Sequence, residues 1–128
     1  MIQKNFSTKI RPPAVAGMFY PGHEKELRNK VQHYLHIAGE EESEHKISLG
    51  EISTIRMLIV PHAGYIYSGK TAAFAYKYLH QLKNEIRTVF LLGPAHRVWI
   101  RGAAFPKAYS FETPLGIVKL DRDLMENI

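Results

Sequence analysis

The sequence predicts an α/β domain built on parallel strands, and three observations carry that prediction. Two short apolar runs, one over residues 54–60 and one over residues 86–92, are each halted by a break, at Pro61 and at Gly93-Pro94. Runs of this length suit strands buried on both faces better than helices. Between them the period changes: Ala72, Ala73, Phe74, Ala75, Tyr76 and Leu79 mark an amphipathic helix with a small-residue face. Strand, loop, helix, strand is the unit that joins parallel neighbours by a right-handed crossover.

In chain order, residues 1–10 are expected to form a flexible lead. Arg11-Pro12-Pro13 has to be extended, because each proline pushes its predecessor out of the helical region. Residues 14–22 are uncharged and end in a Pro-Gly turn, so they are expected to pack on the body of the domain. A helix is predicted over residues 23–36, with Glu24 and Glu26 in its first turn and an apolar stripe of Leu27, Val31, Tyr34 and Leu35. Residues 39–50 are polar, acidic and bounded by glycines, as an exposed loop would be. The first strand then leads through a loop to a helix running from Thr71 to about Leu82. After the second strand, residues 102–105 are a candidate third strand, residues 109–114 an irregular connection and residues 115–120 a further strand. Asp121 is placed to cap a closing helix.

At 128 residues the chain is bounded to one domain, expected to span residues 11–128. The net charge of +5 comes from cations scattered singly, without the basic stripe interleaved with aromatics that nucleic-acid binding asks for. No window reaches the ~18 apolar residues of a membrane span, and no apolar stretch follows the first lysines as in a secretory signal. Cysteine is absent, which excludes disulfides and thiolate ligands and fits a reducing, cytoplasmic setting. The expected partners therefore include neither nucleic acid nor membrane.

Two strands are predicted to end alike, in an apolar run, a proline and a histidine: IVPHAGY with His62 and LLGPAH with His96. In open α/β sheets, ligands sit outside the carboxyl ends of the strands. Two neutral imidazoles emerging on one such edge would make half of a site for iron, copper or zinc, with a third ligand still needed. Spacing alone leaves a second reading open, in which each histidine hydrogen-bonds its own loop. Tyr65 and Tyr67 are candidate ligand contacts beside His62, and Arg97, next to His96, is a candidate anion contact. The run from Gly64 to Thr71 also matches the phosphate-loop pattern G-x-x-x-x-G-K-S/T. Its bulky interior, Tyr65-Ile66-Tyr67, and the missing Asp at the end of the next strand both argue against nucleotide binding. The remaining histidines read as solvated.

RPPAVAGMFYP, IVPHAGYIYSGKTAAFAY, VFLLGPAH and FETPLGIVKLD, in that order, resemble the N-terminal half of the Memo family, also called the B component of the AmmeMemoRadiSam system. The resemblance runs from about Arg11 to Asp123. It implies an α/β/α sandwich with a mainly parallel central sheet, similar to the class III non-haem iron extradiol dioxygenases. It also implies that His62 and His96 match two of the family's metal-site histidines, for iron or copper. Some members carry a second histidine where this chain has Arg97. The family's other site residues belong to a C-terminal half, so the chain is expected to be truncated relative to the complete fold. Redox chemistry at the metal and a non-catalytic peptide- or anion-binding scaffold are both implied. So is functional association with radical SAM and AMMECR1-like proteins.

Overall fold

A computed structural model describes residues 9–41 and 55–127, without the side chains of residues 80 and 81. The chain divides into two compact units, one of Val15–Arg87 and one combining Met1–Ala14 with Thr88–Ile128.

The unit Val15–Arg87 is helical. Helix α1 (Glu24–Glu40) carries Glu24 and Glu26 in its first turn and an exposed Arg28–Glu24 pair at 2.8 Å. It outruns the predicted end at residue 36 by one turn, because Ala38 is packed away and leaves no accessible surface. Of the predicted loop at 39–50, residues 42–50 lie outside the described residues. Helix α2 (Tyr65–Tyr76) lies against α1, and the short α3 (Leu79–Leu82) follows it, ending on the buried Leu82. Leu27, Ala38, Ser68 and Ala73 form the buried face between the two longer helices. Close approach there depends on small residues. A Cβ at Gly69 would stand 2.5 Å from Cε2 of Tyr34, so only glycine fits at that crossing.

The other unit holds a three-stranded sheet in the order β1 (Ile10–Arg11), β2 (Ser110–Thr113), β3 (Gly116–Lys119). Ile10 pairs with Ser110 and Arg11 with Phe111, in parallel; β2 and β3 form an antiparallel hairpin. Its two-residue loop, Pro114-Leu115, keeps negative φ, as proline must, and the left-handed step falls on Gly116 at φ 123°. Arg11 lies over the Phe111 ring and Arg122 over the Tyr109 ring, at 5.2 and 5.3 Å. Helix α4 (Arg122–Glu126) is capped as expected: the Asp121 carboxylate accepts from the Leu124 amide at 3.0 Å.

The structure is therefore mixed α/β, but its strands differ from expectation. Residues 55–60, 86–92 and 102–105 are not strands, residue 54 lying outside the described residues. The run at 86–92 is exposed throughout, with Leu92 at 88%, and the run at 55–60 mixes half-buried and exposed residues, with Ile59 at 89%. β-propensity makes a strand only where a neighbouring backbone completes the ladder, and among the described residues neither run has one. The expected connection at 109–114 instead contains β2. Ile10, the last residue of the expected lead, is tied into the sheet through Ser110. The parallel pairing is thus supplied by β1 and β2, not by the two apolar runs.

Candidate functional site

The His62 loop is seated from two sides. Residues 15–20 fold into a tight turn, with Gly17 at φ 79° donating to the Tyr20 carbonyl at 2.8 Å and Phe19 donating to Val15 at 2.9 Å. The Phe19 carbonyl in turn accepts from the Tyr65 amide at 2.7 Å. Gly64 lets this happen, because a Cβ there would sit 3.3 Å from the Phe19 oxygen. On the other side, the Ser68 hydroxyl donates to the Ala63 carbonyl at 2.9 Å, and the Tyr34 hydroxyl to the Tyr65 carbonyl at 3.0 Å. His62 thus projects, exposed, from a backbone held by α1, α2 and the 15–20 turn. Ser68, Tyr34 and the Phe19 carbonyl were not singled out by sequence as parts of this loop. The small pair Ser68-Gly69, directly after the bulky Tyr65-Ile66-Tyr67, was the available signal.

Helix α2 begins at Tyr65, six residues before the predicted start at Thr71, and this removes the phosphate loop. The amides of Tyr65, Tyr67 and Ser68 already serve the Phe19 and Gly64 carbonyls. They are not arrayed toward a phosphate. Lys70 meets Glu41 at 2.6 Å on the surface.

Tyr65 and Tyr67 separate. Tyr65 turns inward beside Tyr20, with ring centroids 5.8 Å apart, and helps line a groove of about 420 Å³ with Val31, Tyr34, Leu35, Ala72 and Tyr76. Tyr67 is 84% exposed. Burial pushes the Tyr65 phenol above its ordinary 10.0, with the Tyr76 and Tyr20 phenols adding to the effect. The folded state therefore holds this proton more tightly than the unfolded state. The phenol's contribution is complete below pH 10 and falls as pH rises from there toward the raised folded value. Subtracting the stability–pH profile of Tyr65→Phe from that of the unaltered chain should leave a loss confined to pH above 10. A flat difference would contradict the burial account.

His96 and Arg97 belong to the other unit, where both are exposed at a bend. Among the described residues, no three or more His, Cys, Asp or Glu side chains gather as a metal-binding group. Nor, among the described residues, is any helix long and apolar enough to cross a membrane.

A mixed α/β architecture carrying a proline-histidine loop clamped at a helix start defines a class of protein more than a particular one. A family model described as Memo-like protein matches residues 11–128, and the chain belongs to that family. It is similar to the MEMO1 family protein of Aquifex aeolicus, 42% identical over 121 residues, which cover 94% of this chain and 40% of that protein. Likewise similar is the MEMO1 family protein MHO1 of Saccharomyces cerevisiae, 37% identical over 121 residues, 93% of this chain and 33% of that protein. The Caenorhabditis elegans protein memo-1 homolog is 33% identical over 128 residues, 100% of this chain and 33% of its own. The chain thus spans between a third and two-fifths of the length of these curated relatives. No solved structure matches it.

Proposed function

We propose that this chain supplies two imidazole ligands, His62 and His96, to an iron or copper centre in a Memo-family protein. The observation that carries the reading is the seating of the His62 loop, whose neighbouring residues are fixed by the Tyr65-to-Phe19 and Ser68-to-Ala63 hydrogen bonds. A metal ligand gains from such immobilisation, because a ring already oriented loses less freedom on binding. The donor chemistry fits: neutral imidazole suits iron and copper. The pair is only part of a coordination sphere, and further donors have to complete it. A bound iron or copper ion would supply redox and Lewis-acid chemistry. The chain's own task is to hold the two imidazoles in place.

The reading extends to the fold. In the complete family fold, residues 55–60 and 86–92 would be strands of an α/β/α sandwich similar to the class III extradiol dioxygenases. Their exposed apolar side chains support this, since burial between helices is what such runs suit. A cytoplasmic setting and association with radical SAM and AMMECR1-like proteins belong to the same reading and rest on the family. Arg97, Tyr67 and the Tyr65 groove would then contact a small-molecule or peptide ligand.

Calorimetric titration of the 128-residue chain with Cu(II) tests the centre. Binding should be weak, because two imidazoles leave most positions to water. It should fall by at least roughly tenfold in His62→Ala and in His96→Ala alike. If both rings share one ion, the double variant should lose less than the two single losses combined, because the first substitution already removes the chelate. Unchanged affinity in His62→Ala would remove the assignment.

A further inference from the structure

We propose that Ser68 is the positioning residue for the His62 imidazole, acting through the Ala63 carbonyl; the proposal rests on the reading of His62 as a metal ligand. A serine inside a helix ordinarily turns its hydroxyl back to the carbonyl four residues earlier. Here that partner is Gly64, and the distance is 3.5 Å, at the limit of a hydrogen bond. The shorter bond, 2.9 Å, goes one residue further back to Ala63, beyond the first residue of α2 and adjacent to His62. The helix interior thus reaches out to hold the loop.

Ser68 is placed for this and little else. The residue is 7% exposed, so its hydroxyl is committed to the carbonyls in front of it. Its helical position is itself fixed, since its amide donates to Gly64 at 3.1 Å and the next residue, Gly69, packs directly on Tyr34. The 15–20 turn restrains the following peptide through Tyr65, so Ala63 and Gly64 are caught between two anchors. Outer partners of metal histidines usually bond the ring itself, and losing one weakens metal binding without removing a ligand; Ser68 stands one step further out, on the peptide next to the ring.

The test compares Ser68→Ala, the near-isosteric Ser68→Cys and the hydroxyl-retaining Ser68→Thr in the full 128-residue chain, beside His62→Ala. Two quantities are read: the metal-free ¹H–¹⁵N heteronuclear NOE at His62 and Ala63, and the Cu(II) dissociation constant. Loss of the hydroxyl should lower both NOE values and weaken Cu(II) binding by roughly tenfold, with Ser68→Thr restoring both. Should Ser68→Ala fail to fold, Ser68→Cys keeps the volume and donates only weakly, so it answers the same question. Unchanged NOE values in a folded variant would overturn the proposal. So would lowered NOE values with unaltered Cu(II) affinity, if His62→Ala abolishes binding. If His62→Ala leaves Cu(II) binding intact, the metal reading fails by itself, and the NOE values still decide whether Ser68 holds the loop.

Discussion

Gly69→Val should lower the stability of the chain by about 3 kcal/mol, at the upper end of what overpacking costs. The added Cβ would meet Cε2 and Cδ2 of Tyr34 at 2.5 and 3.0 Å, before either methyl is placed. A free side chain would swing away, but this ring is tethered. Its hydroxyl donates to Tyr65, and the Lys30 ammonium lies 4.9 Å from its centroid. Retreat of the ring therefore breaks the bond that holds the start of α2 to α1. Helix propensity works the other way, since glycine is the poorer helix former, yet that gain is well under about 1 kcal/mol for a β-branched residue. The steric term wins. Denaturant titration gives the answer, and a midpoint equal to that of the unaltered chain would show that the crossing is looser than the distances require. Combining the change with Tyr34→Ala should cost less than the sum of the two single changes, because the obstacle is then gone.

Leu27→Ala should cost about 3 kcal/mol by the same measurement. Leu27 is 4% exposed and belongs to the few large side chains buried between the helices of the unit Val15–Arg87. With so little buried apolar surface, the cavity has few neighbours able to collapse into it. The exposed Lys25, two residues earlier, provides the control: Lys25→Ala should stay within about 0.5 kcal/mol of the unaltered chain. Equal effects at the two positions would mean that α1 is not held by its apolar face. Domains of this size are stable by only about 5–15 kcal/mol, so either loss is a large share of the whole.

The two long helices were legible because their signals are local. Leu27, Val31, Tyr34 and Leu35 recur at helical spacing, and Asp121 stands where a cap belongs. The start of α2 was misplaced for a physical reason. Gly64 and Gly69 read as loop glycines, whereas Gly69 serves inside the helix to admit the Tyr34 ring. That requirement comes from residue 34, which no window around residue 69 contains. Strand β2 escaped because four residues of mixed polarity give no clear alternation, and β1 because two residues give none at all. The runs at 55–60 and 86–92 show the converse: a strong strand pattern has no ladder among the described residues. At the site, the histidine of the PHAGY loop was legible as a residue type, but the anchors of its backbone were not. Those are carbonyls and a buried hydroxyl, and composition does not reveal which carbonyl a hydroxyl will choose.

Helix α1 has no basic residue in its last turn, yet the Lys77 ammonium donates to the Ala38 carbonyl at 2.7 Å. The cation that compensates the negative end of that helix is thus lent by a residue just past the end of α2. Unravelling of α1 from its carboxyl end is no longer a private event. It must wait for the residue after α2 to let go, so the two helices share one melting boundary where each would otherwise have had its own.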